Sequence, residues 1–190
     1  MNKTTHILGG ITFALGAGIK LGLPNYSIPA LGCLVAAASC GALIPDIDKK
    51  KTAISSKHPF VSFFVRLFTT HRGFTHSLLA LFLFAGVLYF PFVRVNIPLL
   101  TWAYYGAITG YLSHIILDML NPDGVPLLFP LSTHISIYKI KTGGIIETFI
   151  RAGLFLLSIY LAWICVKETS FWQVVISYLS LIHISEPTRR

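Results

Sequence analysis

Five apolar runs, each near the roughly 20 residues that a helix needs to cross a bilayer, divide this chain. They fall at about residues 6–23, 28–45, 76–94, 97–120 and 149–166, and a sixth begins at Phe171. Hydrocarbon offers no hydrogen bonds, so spanning segments must satisfy their own backbone as helices or closed barrels. Runs of this length select helices. The charge count agrees: 12% of the 190 residues are charged and 54% are hydrophobic, whereas a soluble domain carries about 25% charge. A water-exposed surface cannot be assembled from this supply. The expected fold is all-α, a multi-pass transmembrane bundle of about five spans, forming one integral membrane domain over residues 1–178.

The spans differ in character. The first two are rich in small residues (Gly9, Gly10, Gly16, Gly18; Ala36, Ala37, Ala38, Gly41), which let helix backbones approach closely in lipid, so they are expected inside the bundle. The bulky run from Leu78 to Phe84 is expected to face lipid. Cys33, Cys40 and Cys165 lie in apolar stretches without a pairing pattern and read as small buried hydrophobes. Basic residues concentrate between spans two and three (Lys49, Lys50, Lys51, Lys57, Arg66, Arg72) and between four and five (Lys139, Lys141, with Arg151 beyond). The positive-inside rule makes those links cytoplasmic and puts the hairpins near Pro24 and Asn96 outside; Lys20 and Arg94 weigh the other way. The stretch 49–70 reads as an interfacial helix, with Phe60, Phe63, Phe64, Val65 and Phe68 toward the headgroups.

The net charge of +8 is explained by this topology, so no nucleic-acid partner is expected. No small-residue cleavage site follows the first apolar run, so no cleavable signal peptide is expected. Residues 179–190 resemble the translation of a transposase adaptor used to build sequencing libraries. They are expected to be an artefactual tail and are set aside, His183 included.

With this topology the notable polar residues collect at the cytoplasmic face. His6 opens span one, Asp46 and Asp48 end span two, His71 and His76 open span three, His114 and Asp118 close span four, and Glu147 opens span five. Four of the chain's seven acidic residues belong to this set, and charges at membrane depth are costly enough to count as functional candidates. His114 and Asp118 are four apart, so a helix projects them from one face as two ligands of one metal; the alternative is a buried His–Asp hydrogen bond. Pro45 favours extended backbone before it, and if the chain stays extended, Asp46 and Asp48 point the same way and can bridge cations. The alternative is a pair of interfacial acids answering Lys49–Lys51. His71 and His76 need a turn at Gly73 to meet. Arg72 between them is a bidentate donor for an anionic substrate, or a topology-setting charge. His58 and His134 lack acidic neighbours and read as exposed. Asn121, Asp123 and Gly124 read as simple turn chemistry.

Leu43-Ile-Pro-Asp-Ile-Asp48, His71-Arg-Gly-Phe-Thr-His-Ser-Leu78 and Gly110-Tyr-Leu-Ser-His-Ile-Ile-Leu-Asp118, followed by Gly124–Pro130 and the Glu147 region, resemble the YdjM-type family of membrane-bound metal-dependent hydrolases. The resemblance covers roughly residues 5 to 165. It implies a metal set of Asp46, Asp48, His71, His76, His114 and Asp118, with His6 and Glu147 at weaker positions. A fainter similarity, in the type and order of His and Asp residues on helices, is to zinc-dependent phospholipase C. The mixed carboxylate and imidazole donors suit one or two zinc ions, with manganese or iron as alternatives. The implied activity is metal-assisted hydrolysis of an ester or phosphoester of a lipid or lipid-linked substrate. In it Arg72 steadies a phosphate and Glu147 or His6 acts as ligand or general base. The competing expectation is a non-catalytic metal-binding or transport-like membrane protein.

Overall fold

Six α-helices carry the computed structural model, which describes residues 1–21, 27–48, 73–131, 133–167 and 169–184, with residues 47, 48, 170, 171 and 181–184 given by their backbone alone. No β-strand occurs among the described residues. The helices are α1 (Lys3–Leu21), α2 (Ile28–Gly41), α3 (Leu78–Tyr89), α4 (Pro98–Asp118), α5 (Ile145–Lys167) and α6 (Ser170–Ile184). Local chemistry sets several of the ends. Ser27 caps α2, its hydroxyl accepting the Ala30 N–H, with a proline in the first turn. Ser77 caps α3 by accepting the Ala80 N–H at 3.2 Å. Both are the expected role of a small hydroxyl residue before an apolar run.

Among the described residues one helix, α5, is long and apolar enough to cross a membrane by length and composition, with 23 residues and a mean hydropathy of 2.0. At 1.5 Å per residue it spans about 34 Å. Ile28–Gly41 and Leu78–Arg94 are shorter apolar helices. Over the described residues the expectation of five full spans therefore narrows to an all-helical fold with one helix that meets the criterion alone. The second run falls short for a visible reason: α2 ends at Gly41, and Pro45–Asp48 forms a 3₁₀ turn instead of prolonging it. The interfacial helix expected over 49–70 lies outside the described residues.

Glycines decide how the centre packs. A Cβ on Gly106 would sit 2.3 Å from the Leu34 carbonyl oxygen, and one on Gly110 would sit 2.2 Å from that of Ala38. The α4 backbone thus lies directly against α2, the close approach that small residues four apart allow. Ala14, Leu15, Leu34, Trp102 and Cys165 close a core among α1, α2, α4 and α5. Cys40, expected inside, is exposed on α2. The outer face of α3 is bare, with Phe82 69% and Val87 72% exposed, and Phe90 just beyond its end is 72% exposed.

After α4 the chain turns at Asn121–Gly124, where Gly124 adopts φ +63 with its N–H bonded to the Asn121 carbonyl. A Cβ there would meet Ile135 O at 2.8 Å, so both conformation and space ask for glycine. The following strip is tied back to the end of α4 by Ile137 N–H to Met119 O (2.8 Å) and Ile140 N–H to Leu120 O (2.9 Å).

Candidate metal centre

Four side chains from three segments converge beside the C-terminal end of α4. Asp46 comes from the 3₁₀ turn after α2, His76 from the 3₁₀ turn before α3, and His114 and Asp118 from one face of α4. One ligand atom from each lies within 4.8 Å of the other three. His114 Nε2 is 3.5 Å from Asp46 Oδ1 and 3.6 Å from Asp118 Oδ2, and His76 Nε2 is 3.7 Å and 3.6 Å from the same two oxygens. Hydrogen bonds between nitrogen and oxygen lie at 2.7–3.2 Å. By contrast, a cation about 2.1 Å from four tetrahedral donors sets them about 3.4 Å apart. The observed gaps match ligands around a common ion better than ion pairs in direct contact.

The far sides of these groups are held in place. His114 Nδ1 lies 2.6 Å from the Ala42 carbonyl oxygen. A carbonyl only accepts, so Nδ1 carries the proton and Nε2 presents its lone pair to the cluster, the arrangement of a histidine ligand with a backbone partner. His76 Nδ1 shares a 3.2 Å hydrogen bond with the Thr75 hydroxyl. The turn carrying His76 is pinned by Ser77, whose hydroxyl donates to Phe74 O at 2.6 Å, and by Tyr111, whose hydroxyl donates to Thr75 O at 2.6 Å. Asp118 turns Oδ2 to the cluster, while its Oδ1 accepts from Asn121 Nδ2 at 2.7 Å and from the Met1 ammonium at 2.9 Å. His76, His114 and Asp118 are fully buried, and Asp46 keeps 15% of its side chain exposed.

His6 and Glu147 stand outside the four. The His6 ring is buried and stacks on His114 with centroids 3.8 Å apart, and its Nε2 lies 3.3 Å from Asp118 Oδ1, behind the carboxylate. Glu147 accepts from Thr5 Oγ1 at 2.8 Å and Asn2 N–H through one oxygen and from Gly143 N–H through the other. The carboxylate expected as a ligand or base is occupied in fastening the chain's first residues to the start of α5. The extended backbone on which the pairing of Asp46 with Asp48 was premised does not form: Pro45–Asp48 is a 3₁₀ turn. His71, Arg72 and His58, and the side chain of Asp48, lie outside the described residues. His134 is exposed.

Asn121, read from sequence as a turn residue, does more than turn the chain. It is 1% exposed and orients Asp118. The signal was its position three residues beyond Asp118 at a helix end, close enough for side chains to meet.

A family model described as YdjM inner membrane protein matches residues 1–186. The chain is 35% identical over 163 residues to the uncharacterized protein YvsG of Bacillus subtilis (strain 168), an alignment covering 84% of this chain and 93% of that one. It is 36% identical over 135 residues to the inner membrane protein YdjM of Escherichia coli (strain K12), covering 67% of this chain and 66% of the relative. The Shigella flexneri protein of the same name aligns with the same identity and coverage. No solved structure matches the chain.

Proposed function

The chain belongs to the YdjM family of inner membrane proteins, and from that premise we propose that it is a multi-pass membrane hydrolase. In this reading the cytoplasmic-side centre of Asp46, His76, His114 and Asp118 holds a divalent metal and acts on an ester or phosphoester of a lipid or lipid-linked substrate. The relatives named as inner membrane proteins support the membrane location. The observation that carries the metal is the set of four imidazole–carboxylate gaps of 3.5–3.7 Å around buried, tautomer-locked His114. Zinc, manganese and iron all accept such donors. A divalent cation there would supply Lewis acidity, acidifying a coordinated water and polarising a substrate oxygen. The chain's own part is to orient the donors: Ala42 O and the Thr75 hydroxyl turn the two imidazoles, Asn121 turns Asp118, and His6 backs both His114 and Asp118. The partly exposed Asp46 edge is where substrate would enter, with Arg72 as the phosphate-steadying group.

A second reading draws on the ligand count. Four protein donors close a tetrahedral zinc site, as in structural centres, whereas catalysis needs an open position. Cobalt substitution separates the two: an intense visible band marks four-coordinate closure, and a weak band marks the higher coordination that leaves room for water. A transport-like protein would carry polar residues at mid-span as well, and the chain's main candidates are few: Ser39, Thr101 and Thr109, whose hydroxyls bond carbonyls of their own helices.

The decisive test is metal analysis of detergent-purified wild type against Asp46→Asn with His114→Ala. Wild type is expected to carry about one divalent ion per chain and the double variant less than about a tenth of that, since two of four donors are gone. Equal metal in both ends the proposal at its first step. Assays on phospholipids and a generic phosphodiester then address hydrolysis.

A further inference from the structure

The segment between α4 and α5 carries a feature that the metal centre leaves unused. Lys139, Lys141, Gly144, Ile145 and Ile146 line a cleft of about 400 Å³. Both lysines are exposed, and among the described residues no carboxylate lines the cleft. The nearest acid along α5, Glu147, is buried and turned inward onto Asn2, Thr5 and Gly143. Among the described residues the cleft is therefore basic, with no counter-charge in its lining. Around it stand large apolar side chains on the outside of the molecule: Tyr138 65%, Ile145 77% and Phe149 73% exposed. Isolated exposed apolar residues need no explanation, but a contiguous set beside paired lysines marks an interaction surface.

Its place in the fold says which surface. The cleft is lined by the first turn of α5, the helix that meets the length and apolarity of a membrane span, so the lysines flank the end of that span, where headgroups lie. It is also at the metal centre's end of the molecule. Ile140, between the two lysines, packs with Leu117 and Met1, and its N–H bonds Leu120 O two residues beyond Asp118. We propose that the Lys139–Lys141 cleft binds the phosphate of an anionic phospholipid head group, with the acyl chains lying along Ile145, Ile146 and Phe149. The site holds a lipid phosphodiester at the same end of the molecule as the metal cluster. It rests on the membrane location proposed above and is independent of the hydrolytic step.

The test uses the full chain in neutral detergent, with bound lipid counted by native mass spectrometry during titration with short-chain phosphatidylglycerol, short-chain phosphatidylcholine or inorganic phosphate. Each lysine near an anionic headgroup contributes about fivefold in affinity, so Lys139→Gln with Lys141→Gln is expected to weaken phosphatidylglycerol binding about thirtyfold. Each single variant should weaken it about fivefold, and Lys20→Gln should leave it unchanged. Equal binding of the two lipids, or a double variant that binds phosphatidylglycerol as wild type does, overturns the proposal. Displacement of phosphatidylglycerol by millimolar inorganic phosphate overturns the lipid as ligand and assigns the cleft to free phosphate. The membrane reading is checked separately: wild-type chain that leaves the membrane pellet on alkaline washing sinks that premise, whereas a failed titration with the chain still in the pellet sinks the cleft alone.

Discussion

Replacing Gly110 with alanine leaves all four converging donors in the chain and should still damage the centre. The new Cβ would lie 2.2 Å from Ala38 O and 2.9 Å from Ala42 N. Carbon and carbonyl oxygen approach to about 3.3 Å at closest, so α2 and α4 must separate by about 1.1 Å at this level. The neighbouring contact is the 2.6 Å bond from His114 Nδ1 to Ala42 O, one helical turn along. A displacement of that size stretches it past the limit of a hydrogen bond and frees the imidazole to rotate or change tautomer. Loss of such a supporting bond weakens metal binding about 10- to 100-fold, and the overpacking itself costs about 1–3 kcal/mol. Competition against a chromophoric zinc chelator in detergent measures the first, and thermal unfolding the second. Gly86→Ala is the control, since nothing lies within 4 Å of its added Cβ. A Gly110→Ala protein of native helicity that binds metal within about twofold of wild type would refute the claim that helix approach sets the centre's geometry.

Three further outcomes follow from the same contacts. Asn121→Ala removes the 2.7 Å donor to Asp118 Oδ1 and should weaken metal binding about tenfold or more; Asn121→Asp should not restore it, because a second carboxylate cannot donate, and chelator competition reads both. Glu147→Gln weakens the charge-assisted bonds from the Asn2 and Gly143 N–H groups and should cost about 1.5–3 kcal/mol in thermal unfolding, with metal stoichiometry unchanged; loss of the ion would instead make Glu147 a ligand. His6→Phe keeps a flat ring against His114 while removing the nitrogen 3.3 Å from Asp118 Oδ1; the ion should remain bound in elemental analysis, with affinity reduced at most about tenfold, and its disappearance would move His6 into the ligand set.

The legible parts of the fold and site were those governed by one local rule. The apolar runs announced the helices, and the four-residue spacing of His114 and Asp118 announced their common face, because on a helix that spacing is geometry rather than context. Asp46 with Asp48 was harder. The inference turned on whether the chain stays extended after Pro45, and a proline at the end of a helix equally permits the tight 3₁₀ turn that forms there. The bonds that Glu147 makes were out of view because two of its three partners, the Thr5 hydroxyl and the Asn2 N–H, lie more than a hundred residues away. No local pattern distinguishes a carboxylate that fastens two segments from one that faces a substrate.

The least legible element was half in view. Gly106, Gly110, His114 and Asp118 recur at intervals of four along α4, forming one continuous stripe. Its second half reads as chemistry and its first half as unremarkable small residues, yet each half depends on the other. The glycines bring α2 close enough for the Ala42 carbonyl to reach His114 Nδ1, and α2 then ends where its following turn can present Asp46 to the same imidazole. Bulkier residues at positions 106 and 110 would hold α2 away, and Asp46 would have to cross the added gap with a short side chain that has almost no reach. A helix-packing motif and a ligand set are therefore one structural device here: the distance between two backbones determines whether donors from separate segments can share an ion.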